Sequence, residues 1–272
     1  MSWKQVTSFL ALVGGSLSHS WVEQLMVFDE NGKMVGSPGY PRGAVSRQNP
    51  SFNDLQMQHL ITNGGGEHKY AGRICKETQA IGNYTSSLPS LQAWPGAFIA
   101  LRYQENGHVT LPELSPHKRS SGSVFIYGTT QSSNDDLLDS IHQVWNEDGT
   151  GGDRRGRLIA TRGFDDGQCY QINQGPISRE RQEKYPKTAS DPQGADLWCQ
   201  NDIQLPHDIG PRYSIYWVWD WPTEPYSAAP KGSMEVYTTC IDIDIDPGIS
   251  PTRLTFKAEQ DLNFAGIKGQ LN

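Results

Sequence analysis

The stretch YSIYWVWDW, residues 213–221, carries a large apolar or aromatic side chain at every second position. Successive side chains of a β-strand point to opposite faces of the sheet, so this spacing gathers five large side chains on one face. The five residues are Tyr213, Ile215, Trp217, Trp219 and Trp221. A face with so much apolar surface is stable only when it is covered, so we expect the three tryptophans to lie in the core.

The next periodic segment spans residues 235–246 and ends in the run CIDIDID. Its isoleucines alternate with Asp242, Asp244 and Asp246, which predicts a strand with one apolar and one solvated face. A calcium loop of the EF-hand type is a poorer interpretation of the aspartates. Pro247 stands where that loop needs glycine, and Arg253 stands where it needs an acid.

The rest of the chain predicts short strands joined by turns. Further strands are expected at residues 21–28, 97–103, 123–127 and 254–256. Residues 132–146 have acids near their start and an apolar stripe, so they are the best helix candidate. Residues 147–211 are polar and are expected to form a long loop. The absence of a βαβ alternation predicts an all-β, immunoglobulin-like or fibronectin-like β-sandwich with long loops and a short inserted helix.

The N-terminus has the three parts of a secretory signal peptide: a charged start, an apolar run and small residues at Ser16 and Ser18. The apolar run is shorter than the ~20 residues that span a bilayer. We therefore predict that residues 1–18 are removed, leaving one β-sandwich domain over 19–258 and a C-terminal tail over 259–272. The product is expected to be extracellular, and Asn83 lies in a glycosylation sequon.

The charge balance limits the classes of partner. The formal net charge is −7, and loss of residues 1–18 removes one lysine and no acid, giving −8. An acidic chain without a basic run is a poor candidate for nucleic-acid binding. No other apolar segment of the sequence approaches membrane-spanning length either. We expect a soluble monomer with no nucleic-acid or membrane partner.

The chain has four cysteines, Cys75, Cys169, Cys199 and Cys240. An even number in an exported protein predicts two disulfides, for which three connectivities are possible. A zinc site is less favoured because no pair of cysteines has the C-x-x-C spacing.

Two of the seven histidines occupy informative positions. Cleavage after Ser18 would make His19 the first residue, with an α-amine beside its imidazole, and both nitrogens can hold one metal ion. His108 follows Gly107 in a polar turn between two expected strands. Taken alone, His108 would be interpreted as an ordinary loop histidine.

A third stretch, EVYTTC at residues 235–240, completes a pattern. A histidine after the cleavage site, a Gly-His before a strand, a Tyr-x-x-Cys strand and the Trp-rich strand together resemble the secreted fungal lytic polysaccharide monooxygenases, in an uncharacterised branch. The likeness follows most of the mature chain in order, but residues 130–210 show no recognisable counterpart.

The resemblance implies a copper "histidine brace". His19 would supply its α-amine and one ring nitrogen, His108 a second ring nitrogen, and Tyr237 would lie at the axial position. Glu235 would point toward the oxygen-binding side. Three nitrogen ligands suit Cu(II) independently of the resemblance. The resemblance also implies disulfides Cys75–Cys240 and Cys169–Cys199, an insoluble chitin- or cellulose-like substrate and an external electron donor.

Two other functions remain open at the level of sequence. One is a non-catalytic extracellular copper-binding protein, and the other is a metal-free cell-wall carbohydrate-binding protein. A glycosidase with paired carboxylates is a weaker alternative. Loop aromatics that could stack on sugar rings are Tyr40, Trp94 and Tyr226.

Overall fold

The computed structural model describes residues 19–29, 32–61 and 69–249. The predicted signal peptide, the strand at 254–256 and the tail at 259–272 lie outside these ranges. Within them, no helix is both long enough and apolar enough to cross a membrane.

The described residues form two β-sheets. The bounds of the strands are β1 (Val22–Phe28), β2 (Met34–Gly39), β3 (Leu60–Ile61), β4 (Leu91–Ala93), β5 (Phe98–Tyr103), β6 (Ser123–Thr129), β7 (Gly156–Gly163), β8 (Cys199–Gln204), β9 (Arg212–Thr223) and β10 (Ser233–Ile245). One sheet has the order β2-β1-β5-β8, and the other has the order β3-β10-β9-β6-β7, with β4 pairing in parallel to β10. Two short α-helices are α1 (Leu138–Ile141) and α2 (Pro176–Lys184).

The main core fills the space between the two sheets. The larger sheet contributes all five alternating residues of the YSIYWVWDW stretch, together with Tyr237, Ile241, Ile243 and Ile245 of β10. The smaller sheet contributes Val22, Leu25, Ile99, Leu101 and Ile203. Both the predicted alternation and the predicted all-β sandwich are confirmed.

The predicted solvated face of β10 is wrong at Asp242. This residue is fully buried and pairs with the equally buried Arg42, whose Nη2 lies 2.6 Å from its Oδ1. The covering segments bring a second cluster of buried residues against the outer face of β9 and β10, which includes Ile74, Cys75, Leu138, Tyr216, Val218, Val236 and Cys240. We call this cluster and its covering segments the outer layer. The sequence pattern did not indicate it because the covering residues come from distant loops.

The helix predicted over residues 132–146 is also largely wrong, since only Leu138–Ile141 is α-helical. The first half of the segment bonds to the outer layer: Ile74 N–H donates to the carbonyl of Asp136, and Leu138 N–H donates to the carbonyl of Gly72. Tyr216 O–H also donates to the Asp136 carboxylate at 2.6 Å. These partners compete successfully with the internal hydrogen bonds of a helix.

The predicted loop over residues 147–211 contains regular structure. It includes β7, which pairs with β6, β8, which pairs with β5, and the helix α2. The segment is therefore part of both sheets and not an appendage. Its polar composition concealed β8, which reads CQNDIQ and buries three polar side chains, Gln200, Asn201 and Asp202, alongside Cys199 and Ile203.

The two disulfides are Cys75–Cys240 and Cys169–Cys199. These are the pairs that the resemblance implies. As the alternation of β10 requires, Cys240 lies in the outer layer and Tyr237 in the main core. Two disulfides are typical of proteins from oxidising compartments.

Candidate metal site at one end of the sandwich

Four strand ends meet at one end of the sandwich. The start of β1 pairs with the end of β5, with Val22 opposite Tyr103, and the end of β9 pairs with the start of β10, with Trp221 opposite Glu235. Residues that precede β1 or follow β5 therefore share this end with Glu235 and Tyr237. The ring of His108 lies 4.6 Å from the ring of Trp221, which joins the two sheets across the end.

His108 is presented by a tight turn after β5. Asn106 and Gly107 both have positive φ, at 49° and 79°, a conformation that glycine adopts without a steric penalty. The His108 N–H donates to the carbonyl of Glu105 at 2.8 Å. The buried Glu105 carboxylate accepts hydrogen bonds from the N–H groups of Val109 and Thr110. Glu105 therefore supports the turn and is not an exposed acid available for catalysis.

His19 is tied to the same turn. The Asn106 side-chain amide donates to the carbonyl of His19 at 2.6 Å, and the hydroxyl of Ser20 donates to the carbonyl of Gln104 at 2.7 Å. These bonds connect two residues shortly before β1 to the residues after β5. His19 is thereby held against the turn that presents His108, although the two histidines are 89 residues apart in the sequence.

Each of the two imidazoles has a buried nitrogen without a hydrogen-bond partner. These atoms are Nδ1 of His19 and Nε2 of His108. Burial lowers the pKa of His108 to about 3, with further lowering by the charges of His19 and Lys118. His108 is therefore neutral at ordinary pH, and a neutral imidazole nitrogen without a proton offers its lone pair to a metal ion.

Glu235 and Tyr237 are linked to His108 through the tryptophans of β9. Tyr237 is buried, its ring lies 5.1 Å from that of Trp219, and its hydroxyl donates to Glu235 at 3.0 Å. The ring of Trp219 in turn lies 5.5 Å from the ring of His108. The Trp219 ring thus contacts both Tyr237 and His108.

Lys118 is a part of the site that sequence reasoning missed. Its ammonium lies 2.6 Å from Glu235 Oε1, 2.7 Å from the carbonyl of Trp221 and 3.9 Å from the centre of the Trp221 ring. Burial lowers the pKa of Lys118, while Glu235 opposes that change. Lys118 and Trp221 line both of two adjacent cavities, of about 320 and 230 Å³, the first containing Glu235 and Tyr237 and the second His108. Lys118 lies in an irregular loop, and no sequence pattern distinguishes it.

Asp54 is the second residue that sequence reasoning missed. Its Oδ2 contacts Nε2 of His19, and its Oδ1 lies 3.3 Å from Nη1 of Arg47. The other nitrogen of the His19 ring, Nδ1, is the unpartnered one.

The remaining expectations have mixed outcomes. Trp94 packs partly buried against the main core, and Tyr226 stacks on His117 with ring centres 3.8 Å apart. Tyr40 lines a separate cavity of about 490 Å³. Asn83 is exposed, as a glycosylation site requires, and its amide donates to the carbonyl of Thr78. Glycosylation itself stays a prediction.

A cluster of three residues of metal-ligating types occurs elsewhere among the described residues, at Asp166, Cys169 and Cys199. The two cysteines of this cluster form a disulfide, so neither sulfur is available as a thiolate ligand. Nδ1 of His19 and Nε2 of His108 are better candidates for holding a metal ion.

The sequence matches the model of one protein family, described as a domain of unknown function (DUF7492), over residues 16–268. The chain belongs to the DUF7492 family. No curated protein sequence matches this DUF7492 chain.

Among solved structures, this DUF7492 member is similar to HiLPMO9B, with a TM-score of 0.37 and 12% identity over 86% of this chain and 81% of that one. It is also similar to a cellulose-active polysaccharide monooxygenase from M. thermophila, with a TM-score of 0.34 and 13% identity over 88% of this chain and 84% of that one. The similarity to the cellulose-active CelS2, solved in complex with copper, has a TM-score of 0.33 and 16% identity over 70% of this chain and 74% of that one.

Proposed function

We propose that this protein is a secreted copper-dependent oxidase that cleaves a chitin- or cellulose-like polysaccharide. The observation that carries the proposal is the pair of buried imidazole nitrogens without partners, on the two histidines that the motif resemblance assigns to a brace. Copper is high in the affinity order of divalent metals for nitrogen ligands, so these atoms fit the ion.

A third nitrogen depends on cleavage between Ser18 and His19. The new α-amine has an ordinary pKa near ~8, far below that of lysine, so a metal can displace its proton at mild pH. His19 would then contribute the amine and Nδ1, and His108 would contribute Nε2. Tyr237 would be the further candidate ligand, and its hydroxyl donates a hydrogen bond to Glu235.

Bound copper would supply the one-electron redox chemistry needed to activate dioxygen or peroxide, with electrons from an external donor. The chain's own residues would orient the ligands and neutralise the charge beside them. Asn106 holds the backbone of His19, while Glu235 accepts hydrogen bonds from both Tyr237 and Lys118. The Lys118 ammonium balances the negative charge of the Glu235 carboxylate beside the site.

Copper titration of the mature secreted protein tests this proposal. We expect tight binding of one Cu(II) ion, and loss of that binding in His19→Ala and in His108→Ala. His207→Ala is the matched control, because His207 is exposed and lies outside the site. Intact mass with and without copper reports the first residue, and a chain that begins elsewhere than His19 would contradict the brace.

A non-catalytic copper-binding protein is the second candidate, and burial favours it. His108 is only 7% exposed, and both candidate nitrogens are shielded from solvent, whereas attack on an insoluble polymer needs an open site. Incubation with chitin and with cellulose, a reductant and copper separates the two candidates. Release of oxidised oligosaccharides, absent in His108→Ala, supports the oxidase, and copper binding without such products supports the second candidate.

A further inference from the structure

We infer that Asp54 is a positioning residue that selects the tautomer of His19 and so leaves Nδ1 free to bind a metal ion; the metal-binding part of this inference rests on the proposed function. The observation is the contact between Asp54 Oδ2 and Nε2 of His19, together with the unpartnered Nδ1 on the opposite side of the ring.

The hydrogen-bonding chemistry of an imidazole and a carboxylate determines which ring nitrogen of His19 carries the proton. A neutral imidazole has one N–H and one nitrogen with a lone pair, while an ionised carboxylate only accepts hydrogen bonds. Nε2 must therefore carry the hydrogen that is shared with Asp54. Nδ1 is then the lone-pair nitrogen, and it is the atom that has no partner within the described residues.

Contacts other than the one with His19 hold Asp54 in place. It begins a short 3₁₀ turn, Asp54–Gln56, in which the Gln56 side chain accepts the N–H of Asn53 at 3.0 Å. Arg47 contacts the other oxygen of Asp54 and also pairs with Glu23 of β1 at 2.7 Å. The carboxylate is thus anchored to the same strand that His19 precedes.

Aromatic packing fixes Arg47 in turn. Its guanidinium lies 4.6 Å from the centre of the Trp21 ring and 5.0 Å from that of Phe52. Trp21 is 1% exposed, and its ring lies 6.1 Å from the ring of His19. The Trp21 ring therefore packs against both the His19 imidazole and the Arg47 guanidinium that contacts Asp54.

Carboxylates behind metal-binding imidazoles orient the ring and raise its basicity, and their loss typically lowers metal affinity about 10- to 100-fold. We expect the same loss of Cu(II) affinity in Asp54→Ala. Asp54→Asn keeps an oxygen that can accept the Nε2 hydrogen, so this conservative variant should retain most of the affinity. Asp208→Ala is the control, because the Asp208 side chain is 80% exposed and is not part of the site.

The tautomer is measured without copper, by ¹⁵N NMR of the mature metal-free protein in alkaline buffer. The expected result is Nε2–H in the wild type and in Asp54→Asn, and a mixture of both tautomers in Asp54→Ala. Nδ1–H in the wild type, or an unchanged tautomer in Asp54→Ala, would overturn the inference. Thermal unfolding of each variant establishes that it is folded. If Asp54→Ala is unfolded, Asp54→Leu provides the test, because it removes both acceptor oxygens while keeping a branched side chain of similar shape, and a mixture of both tautomers is again expected.

The two readouts separate this inference from the proposed function. If no variant binds copper but the tautomer depends on Asp54, the proposed function fails and tautomer selection stands. If the wild type binds copper and Asp54→Ala binds it equally tightly, the positioning role fails while the proposed function survives.

Discussion

At the scale of single residues, the buried pair of Arg42 and Asp242 determines how the outer layer is held. Burial alone would raise the pKa of Asp242, but hydrogen bonding and the charge of Arg42 hold it below its ordinary value. Arg42 Nη2 also contacts Ser214 at 2.9 Å, and Asp242 accepts the N–H of Gly82 at 3.0 Å. The pair thus joins β9, β10 and two covering loops at one point.

Removing one partner of a buried ion pair leaves an uncompensated charge, which typically costs about 3–5 kcal/mol. We expect Asp242→Ala to lower the free energy of unfolding by this amount in a denaturant titration. Asp244→Ala is the matched control on the same face of β10, since Asp244 pairs with Arg212 at a partly exposed position. Its expected cost is about 1 kcal/mol or less, and equal losses in the two variants would contradict the interpretation.

Asp202 predicts a pH dependence of stability. Burial, together with the charge of Asp166, raises its pKa to about 8, although Gln200, Arg162 and Arg102 oppose the change. The folded state therefore retains a proton that the unfolded state releases near pH ~4. Since the folded state binds more protons, the free energy of unfolding falls as pH rises through this window.

We expect this contribution to reduce stability by about 4 kcal/mol between about pH 5 and 8, at about 1.4 kcal/mol per pH unit. Asp202→Asn should abolish most of the fall in denaturant titrations at the two pH values. Asp208→Asn, at an exposed position, should leave the fall unchanged. A pH profile of Asp202→Asn that overlays the wild type would refute the assignment.

At the scale of elements, the turn from Glu105 to His108 connects backbone conformation to the candidate site. Gly107 has φ +79°, and a Cβ there would meet only the Leu111 side chain, at 3.7 Å or more. Gly107→Ala is therefore penalised by the backbone conformation and not by a clash. We expect a loss of about 1–2 kcal/mol of stability and weaker copper binding, because the turn that presents His108 shifts.

Gly194→Ala is the control for this turn. Gly194 has φ +63° with no atom within 4 Å of an added Cβ, so its backbone penalty is similar. It should lose comparable stability without any change in copper affinity. If both variants weaken copper binding equally, the effect is one of general stability and not of the turn.

The two main strands could be predicted from sequence because their signal is local. The alternation of side chains in β9 and β10 predicts which of them face the core, and this prediction needs no knowledge of the sheet packed against them. The segment at 132–146 could not be predicted in the same way, since its hydrogen-bond partners are Gly72, Ile74 and Tyr216. Likewise, His19 and His108 stand in recognisable motifs. The roles of Asp54 and Lys118 depend instead on contacts with residues distant in the sequence, His19 and Glu235.

At the scale of the whole molecule, copper should stabilise the fold. A ligand that binds only the folded state at 100 times its Kd adds about 2.7 kcal/mol. For a domain of this size, that corresponds to a rise in Tm of about 5–10 °C. Scanning calorimetry of the mature protein with and without Cu(II) measures the shift, and His108→Ala should lose it. A rise of the same size in His108→Ala would indicate binding elsewhere.

The bond between Cys75 and Cys240 has a practical consequence for making this protein. In the cytoplasm of a bacterial host, thiols stay reduced, and the loop carrying Cys75 would then be tethered to β10 by hydrogen bonds and packing alone. Opening of that loop would bare Tyr216, Val218 and Val236, which are fully buried in the native protein. Recombinant chains made there should collect in inclusion bodies, whereas export to the periplasm or secretion from yeast should yield soluble material.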